Sequence, residues 1–361
     1  MIVVKILVSF ILSIILGLVT IPVILKLCKE HKLYDIPDFR KRHKQAIPRL
    51  GGISFLPCML LSFGLVLLIF SVKYTSEESV HLWYLYLLFA ILLIYLIGVL
   101  DDVIGLSARL KFLVQFVAAC CLPLAGIYIN NLYGFFGIHE ITAFLGIPLT
   151  IIVILLIVNS INLIDGIDGL SSFISILALS GFILLYSEIT AWVICVMISG
   201  LLGALFAFLR FNLFGDAEKG TKIFMGDSGS LTLGFIISAL FVKYLMLSSE
   251  NELIGTENVV MAYSFLIVPT FDVFRVVGVR IKQGKPIFGA DRNHIHHRLM
   301  DAGLNQYKAL VCIVAMAISY IIVNALLYRL TGDTTLIVVV DVALYTLLSL
   351  AISKRRKNKV S

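Results

Sequence analysis

The feature that most constrains this chain is a succession of apolar blocks, each of about 20 residues. At a rise of 1.5 Å per residue, a helix of about that length crosses the roughly 30 Å hydrocarbon core of a bilayer. Because lipid offers the backbone no hydrogen-bond partner, each block must be helical. Only 14% of the residues are charged and 60% are hydrophobic, whereas roughly a quarter are charged in soluble domains. The sequence therefore predicts an all-α polytopic membrane protein.

Eleven membrane-spanning helices are predicted, and they fill most of the chain. They cover residues 2–27, 50–72, 82–100, 110–127, 143–160, 170–187, 190–209, 230–247, 258–276, 306–328 and 334–352. The first block is longer than the core of a signal peptide and lacks a small-residue cleavage site, so we interpret it as a membrane helix. Since no internal repeat or linker divides the sequence, we expect one domain over residues 1–361, with a basic tail at 353–361.

The distribution of Lys and Arg predicts the orientation, because these residues favour cytoplasmic loops. With the N-terminus outside and the C-terminus inside, 25 of the 29 Lys and Arg residues lie on the cytoplasmic side. Basic inner loops also contact anionic lipid headgroups, which accounts for the net charge of +7 without a nucleic-acid partner. We therefore expect a multi-pass membrane protein whose basic loops face the cytoplasm.

Two adjacent carboxylates, Asp101 and Asp102, end the third predicted span, and Lys111 follows in the chain. Neighbouring carboxylates repel each other and raise one pKa unless a cation lies nearby. The pair is consistent with a divalent metal or with a base of raised pKa. A polar helix end that simply meets water is the alternative interpretation.

A second polar motif recurs with a period of three at the end of the fifth predicted span. Its members are Asn159, Asn162, Asp165 and Asp168, with a glycine after each aspartate. On a helix, this spacing places the four side chains in a slanting stripe on one side. Carboxylate and amide oxygens suit a hard cation such as Mg²⁺. An ordinary turn between two helices rarely carries such a stripe into an apolar segment.

Asp227 stands between glycines immediately before the eighth predicted span. A helix N-terminus offers free N–H groups and a favourable dipole to an anion. The carboxylate of Asp227 can hold a metal that bridges to such an anion. An ordinary helix-capping turn is the alternative.

The longest inner loop contains His294, His296 and His297, with Arg292 and Arg298 on either side. A zinc site is the less favoured interpretation, because a His-Glu-x-x-His pattern and a nearby cysteine are both lacking. The flanking arginines favour a phosphate or a sugar phosphate.

All these motifs fall on the predicted cytoplasmic side, which favours phosphate transfer from a soluble donor to a membrane lipid. A transporter or flippase would carry charges along a path at mid-bilayer. Few charges lie at mid-span in this sequence, and Asp341 and Lys243 are exceptions. We interpret those two as packing or boundary residues. Prenyltransferases and CDP-alcohol transferases also use Asp-rich loops, but with other spacings. The sequence contains neither a Walker A loop nor a G-x-S-x-G motif.

The order of these motifs resembles the polyprenyl-phosphate N-acetylhexosamine-1-phosphate transferases, in particular the WecA/TagO-like branch. The resemblance extends from about Asp35 to Arg298 and is carried by Asn-x-x-Asn-x-x-Asp-Gly-x-Asp-Gly and His-Ile-His-His. The related MraY enzymes, which are phospho-MurNAc-pentapeptide transferases, share the Asp-Asp and Asp-Gly runs but carry a different histidine loop. An MraY-like enzyme is therefore the alternative within the superfamily.

The resemblance implies an activity and its partners. Such an enzyme transfers a sugar-1-phosphate, most simply GlcNAc-1-phosphate, from a UDP-N-acetylhexosamine to undecaprenyl phosphate and releases UMP. The resemblance also implies that this is the first membrane step of a cell-envelope polysaccharide pathway, at the cytoplasmic face of the bacterial inner (plasma) membrane. Mg²⁺ is the implied cofactor, with Mn²⁺ as an alternative. A homodimer is one assembly left open.

The resemblance also implies roles for individual residues. Asp227 and Asn162 match metal-contacting positions, and Asp101 matches the residue that deprotonates or orients the lipid phosphate, with Asp102 supporting the metal region. Asp165 and Asp168 complete the catalytic set, and Asp168 also matches a uridine contact. The remaining matches are basic: Lys111, Arg292 and Arg298 for phosphate, and His294, His296 and His297 for the nucleotide sugar.

Overall fold

The computed structural model describes residues 2–35, 46–70, 82–250, 254–286 and 293–360. Each predicted span coincides with a helix or, for residues 258–276, with two helices joined at a bend, which confirms the all-α polytopic membrane fold. The helices are α1 (Ile2–Glu30), α2 (Phe55–Ile69, after a 3₁₀ turn Gly51–Ser54), α3 (Leu82–Ile104), α4 (Ala108–Leu124), α5 (Ala143–Ile164), α6 (Leu170–Glu188), α7 (Trp192–Asn212), α8 (Asp227–Glu250), α9 (Thr256–Ser264), α10 (Ile267–Lys282), α11 (Ile295–Asp301), α12 (Gln306–Thr331) and α13 (Thr334–Val360).

Within the described part of the chain, nine helices are long and apolar enough to cross a membrane. The number rises to 10 if α9 and α10, which meet at an angle of 59°, form one broken span. The remaining predicted span corresponds to α4, which has 17 residues. The total of eleven spans and the orientation of the termini stay predictions.

Two short antiparallel hairpins complete the secondary structure of the described residues. β1 (Tyr34–Asp35) pairs with β2 (Ile47–Pro48), and β3 (Asn131–Phe135) pairs with β4 (Ile138–Glu140). The chain forms two compact units. The first unit comprises Met1–Gly126 and Phe182–Ile236, and the second comprises Ile127–Gly181 and Ile237–Ser361.

In the first unit, α1 packs along α7 through a face of small residues. Ser9, Ser13 and Gly17 are spaced four apart and are all buried. The Ser9 hydroxyl donates to the carbonyl of Val196 in α7 at 2.9 Å. Small side chains allow membrane helices to approach closely, and the hydroxyl adds a hydrogen bond where water is absent.

In the second unit, the start of α13 contacts the β3–β4 hairpin. The Thr334 hydroxyl donates to the carbonyl of Tyr133 at 3.2 Å, and the backbone N–H of Phe136 donates to the Thr335 hydroxyl at 2.8 Å. Farther along α13, polar residues recur every four positions and therefore share one face. We call this set the α13 polar stripe: Asp341, Tyr345, Ser349 and Ser353.

Candidate active site

Three carboxylates and one lysine converge in the first unit. Asp101 and Asp102 end α3, Asp227 begins α8, and one oxygen from each of the three lies within 4.8 Å of the others. Lys111, in the first turns of α4, lies among them. We call these four residues the aspartate cluster. The structure thus brings together residues from two of the sequence motifs.

Lys111 bridges two members of this cluster. Its Nζ donates to Asp227 Oδ2 at 2.6 Å and to Asp101 Oδ2 at 3.1 Å. The other oxygen of Asp101 accepts the backbone N–H of Leu106 at 2.7 Å. Both oxygens of Asp101 are therefore engaged, which fixes the orientation of this carboxylate towards the lysine.

Asp102 has a different environment, because its two oxygens accept backbone N–H groups at the start of α8. The donors are Asp227 N and Ser228 N, both at 2.9 Å. Asp102 is only 4% exposed. A carboxylate at a helix N-terminus satisfies free N–H groups and interacts favourably with the helix dipole. Asp102 therefore anchors the helix that presents Asp227.

The chain enters α8 through a tight turn at Gly226, whose φ is +76°. A Cβ atom at this position would lie 2.1 Å from the carbonyl oxygen of Arg49 and 2.4 Å from Asp102 Oδ2. Glycine is therefore required here by both the left-handed backbone conformation and the close contact.

The segment around residue 50 supports the same turn. Gly51 N donates to the carbonyl of Phe224 at 2.9 Å, and Gly52 N donates to that of Met225 at 2.8 Å. Arg49 Nε donates to the carbonyl of Asp102 at 2.9 Å. The segment between β2 and α2 thus lies beside the aspartate cluster. Residues 36–45, which precede it, lie outside the described residues.

The aspartate cluster has the donors that a hard divalent cation requires. Carboxylate oxygens are the preferred protein ligands of Mg²⁺, and three of them converge here. Asp102 is buried with both oxygens on backbone N–H groups, whereas Asp101 and Asp227 each direct one oxygen to the Lys111 ammonium, so these two are the better placed ligands. Their side chains are 14% and 23% exposed, so they remain accessible to a ligand.

In the second unit, the predicted polar stripe of α5 lies where the helix ends. Asn159 and Asn162 belong to its last turns, Asp165 follows Ile164 at its C-terminus, and Asp168 precedes α6. All four stripe residues are partly exposed. They form an accessible polar edge on the loop between α5 and α6.

This loop packs against the histidine motif. A Cβ atom at Gly166 would lie 2.1 Å from Nε2 of His296, so the ring occupies the space that a side chain would need. The His296 ring centroid is 4.2 Å from that of His297 and 6.0 Å from that of His294. His294 and His296 are buried, whereas His297 is partly exposed. We call these three residues the histidine cluster.

A buried carboxylate that the sequence reasoning missed, Asp272 in α10, positions the histidine cluster. Its Oδ2 lies 2.8 Å from Nδ1 of His294, and both of its oxygens accept the N–H of Ile295 at 3.1 Å. Arg275 donates to it at 2.7 Å and the Tyr345 hydroxyl at 3.2 Å. Asp272 therefore holds the first residues of α11 against α10 and α13.

Arg298 makes its hydrogen bonds to α13. Its guanidinium donates to the Ser349 hydroxyl at 2.8 Å, the Ser349 carbonyl at 2.6 Å and the Ser353 hydroxyl at 2.5 Å. Burial, reinforced by the charge of the neighbouring Arg275, lowers the pKa of Arg298. This geometry suits a residue that anchors α11. Arg292, the other arginine of the motif, lies outside the described residues.

The missed residues did leave a trace in the sequence. Asp272 and Arg275 are charged residues in a predicted span, and charges in such a position usually have a structural or functional partner. Their spacing of three places them on the same helical face. The partner Tyr345 could not be inferred, because it is 73 residues away from Asp272.

These features define a polytopic membrane enzyme with a cluster of carboxylates and a lysine suited to phosphoryl chemistry. Residues 84–245 match the family model described as glycosyl transferase family 4. The chain is 30% identical over 296 residues to the undecaprenyl-phosphate alpha-N-acetylglucosaminyl 1-phosphate transferase of Escherichia coli (strain K12), covering 81% of this chain and 76% of the relative.

Two further relatives carry the same activity in their names. The probable undecaprenyl-phosphate N-acetylglucosaminyl 1-phosphate transferase of Bacillus subtilis (strain 168) is 28% identical over 316 residues, which cover 86% of this chain and 81% of the relative. The undecaprenyl-phosphate alpha-N-acetylglucosaminyl 1-phosphate transferase of Yersinia pestis is 28% identical over 301 residues, which cover 83% of this chain and 78% of the relative. The chain therefore belongs to glycosyl transferase family 4 and to its undecaprenyl-phosphate N-acetylglucosaminyl 1-phosphate transferase-like branch, and it is a phosphotransferase.

Proposed function

We propose that this enzyme transfers GlcNAc-1-phosphate from UDP-GlcNAc to undecaprenyl phosphate and releases UMP. The observation that carries the proposal is the aspartate cluster, in which Lys111 lies between Asp101 and Asp227. The names of the relatives, which specify undecaprenyl phosphate and an N-acetylglucosaminyl 1-phosphate group, support these substrates. The distribution of Lys and Arg supports a cytoplasmic active site in the plasma membrane, where a soluble nucleotide sugar is available. The product would begin a cell-envelope polysaccharide.

In the proposed reaction, a phosphate oxygen of the lipid attacks the β-phosphorus of the UDP-sugar. A new P–O bond forms the lipid pyrophosphate, and the bond from the β-phosphorus to the oxygen that bridges the two phosphorus atoms breaks. That oxygen leaves with UMP. The acceptor phosphate is already an anionic nucleophile, so a covalent enzyme intermediate would gain little. We therefore propose direct transfer.

Asp101 and Asp227 would hold Mg²⁺, with Mn²⁺ as a substitute. The bound ion supplies charge neutralisation for the pyrophosphate and the leaving phosphate. In the structure, the Lys111 ammonium pairs with Asp101 and Asp227, which are the carboxylates proposed to hold the metal. When the substrates enter, the ammonium would move towards phosphate oxygens. Asp102 would act as a positioning residue through α8. The engagement of both Asp101 oxygens favours orientation of Lys111 over a role as general base.

Within the second unit, several groups are suited to a nucleotide sugar. Asp168 would contact uridine, Asp165 lies on the same accessible edge, and Asn162 would be a metal ligand. His297 would contact the sugar, because it is the exposed member of the histidine cluster and imidazole can both donate and accept hydrogen bonds. The buried His294, His296 and Arg298 would shape this surface, and Arg292 would bind phosphate.

A transfer assay tests the proposal. Membranes containing the enzyme are supplied with undecaprenyl phosphate and UDP-GlcNAc labelled in the sugar, and both labelled lipid and UMP are measured. We expect equimolar products that disappear with EDTA and return with Mg²⁺. Competition with UDP-GalNAc, UDP-FucNAc and UDP-MurNAc-pentapeptide determines the sugar. Preference for another donor would refute the GlcNAc assignment, and lipid labelling without UMP would refute the reaction.

A further inference from the structure

A second buried polar group lies in the second unit, among α9, α12 and α13. Asp341 and Asn324 are both 0% exposed. Asn324 Nδ2 donates to Asp341 Oδ2 and to the Ser264 hydroxyl, each at 3.0 Å. The hydroxyls of Tyr263 and Tyr320 lie within electrostatic range of the Asp341 carboxylate. We call these five residues the Asp341 cluster.

Several oxygens of this cluster lack a hydrogen-bond partner among the described residues. They are Asp341 Oδ1, Asn324 Oδ1 and the hydroxyl oxygens of Tyr263 and Tyr320. Asp341 also forms no ion pair with any Lys, Arg or His that the structure describes. Buried polar atoms cost free energy unless they are paired, and a buried unpaired carboxylate costs the most. The cluster therefore presents several oxygens around a buried carboxylate that no described Lys, Arg or His neutralises.

The position of the cluster points to a ligand. Asp341 lies seven residues after the start of α13 and Asn324 seven residues before the end of α12, so both are about 10 Å inside their helices. Ser264 is the last residue of α9, at the break between α9 and α10. A broken helix frees backbone carbonyls, and in membrane proteins such carbonyls coordinate cations together with buried carboxylates.

We propose that the Asp341 cluster binds a small monovalent cation, for which sodium is the appropriate probe. The donors are all oxygens, which hard cations prefer. One carboxylate balances one positive charge, whereas divalent sites usually combine several. The proposal does not depend on the transferase reaction, because none of these residues belongs to the aspartate cluster or the histidine cluster.

Thermal unfolding of the purified full-length protein in detergent tests this site. The melting temperature is measured in sodium chloride and in choline chloride of equal ionic strength. We expect sodium to raise it by about 2–4 °C, with an increase that follows the logarithm of the sodium concentration. Asp341→Asn should abolish the difference. Glu218→Gln, which neutralises an exposed acid in the first unit, should retain it.

Two further measurements keep the test decisive. If Asp341→Asn fails to fold, Tyr320→Phe removes one hydroxyl oxygen and should reduce the sodium effect while preserving the ring. Potassium and lithium series separate a sized site from a general salt effect. Equal melting temperatures of the wild-type protein in sodium and choline would overturn the proposal. A stability that depends on pH but not on sodium would also overturn it, because Asp341 would then carry a proton.

Discussion

The aspartate cluster and the histidine cluster each depend on a buried carboxylate at the start of a helix, but the two carboxylates have different surroundings. In the first, Asp102 accepts two backbone N–H groups at the start of α8; beside the second, Asp272 accepts the single N–H of Ile295 at the start of α11. Around Asp102, the charged side chains of Asp101, Lys111 and Asp227 stay 14–23% exposed.

The surroundings of Asp272 are closed instead. Its own side chain is 2% exposed, and its oxygens are matched by Arg275, His294, Tyr345 and the Ile295 N–H. The aspartate cluster therefore keeps charge available to a ligand, whereas Asp272 uses its charge to hold the short helix α11 in place. Substitutions should therefore affect turnover in the first and donor binding in the second.

The largest effect is expected for Asp227→Asn. Losing a charged metal ligand next to Lys111 should lower kcat at least about a hundredfold, because charge in the transition state is no longer neutralised. The change is nearly isosteric, so the protein should still fold and insert. Initial rates at saturating substrates, together with the melting temperature, measure both. Activity near that of the wild type, with unchanged Mg²⁺ dependence, would reject this role.

Substitutions of Asp102 should lower kcat to different extents. Asp102→Ala removes both acceptors of the α8 N–H groups, whereas Asp102→Asn retains one oxygen acceptor. Loss of a helix cap costs about 1–2 kcal/mol, which corresponds to roughly a five- to thirtyfold change in rate if it displaces Asp227. We expect Asn to recover part of the kcat lost in Ala. Equal kcat in the two variants would show that the N–H contacts do not position Asp227.

Asp272→Asn should change donor binding more than turnover. The substitution removes the charge that pairs with Arg275 and weakens the hold on His294, so KM for UDP-GlcNAc should rise about tenfold with a smaller change in kcat. Asp301→Asn is the matched control, since Asp301 is the last residue of α11, the helix that Asp272 holds, and it pairs with Arg356 at the surface. A purely structural role would lower the melting temperature without changing the ratio of KM to kcat.

The smallest effect is expected for Gly166→Ala. The added Cβ requires the His296 ring to move, whereas Gly278→Ala in α10 meets no atom within 4 Å. We expect a severalfold rise in KM for the nucleotide sugar in the first variant and none in the second. Inhibition by UMP measures nucleotide binding separately. If both variants match the wild type, the loop and the histidine cluster do not act together.

Much of the fold could be predicted because the bilayer constrains it locally. Each apolar block must form its own hydrogen bonds, so length and hydropathy are sufficient to locate the helices. The bend between α9 and α10 was not predicted. The block over residues 258–276 contains no glycine, but Pro269 lacks the N–H that would bond to the Phe265 carbonyl at the break, so the sequence did carry a signal for this bend.

The site could be predicted only in part. Asp101, Asp102 and Asp227 stand out because carboxylates are rare at the ends of apolar segments. The partnership of Asp102 with the N–H of Ser228 spans 126 residues and leaves no local pattern. Arg298 illustrates the same limit, because sequence favours a ligand contact for an arginine beside histidines, and only tertiary structure reveals the serines of α13. Asp341 was interpreted as a packing residue, and its buried neighbours became visible only in the fold.

The α13 polar stripe has a consequence for how the second unit assembles. Its four residues contact Asn324, Asp272 and Arg298, which belong to three other helices. Each added residue rotates a helix by about 100°, so inserting one alanine between Ser349 and Ser353 would turn the last contact away while leaving the others aligned. These contacts fix the rotation of α13 about its own axis. Another apolar helix of the same length could therefore not replace α13.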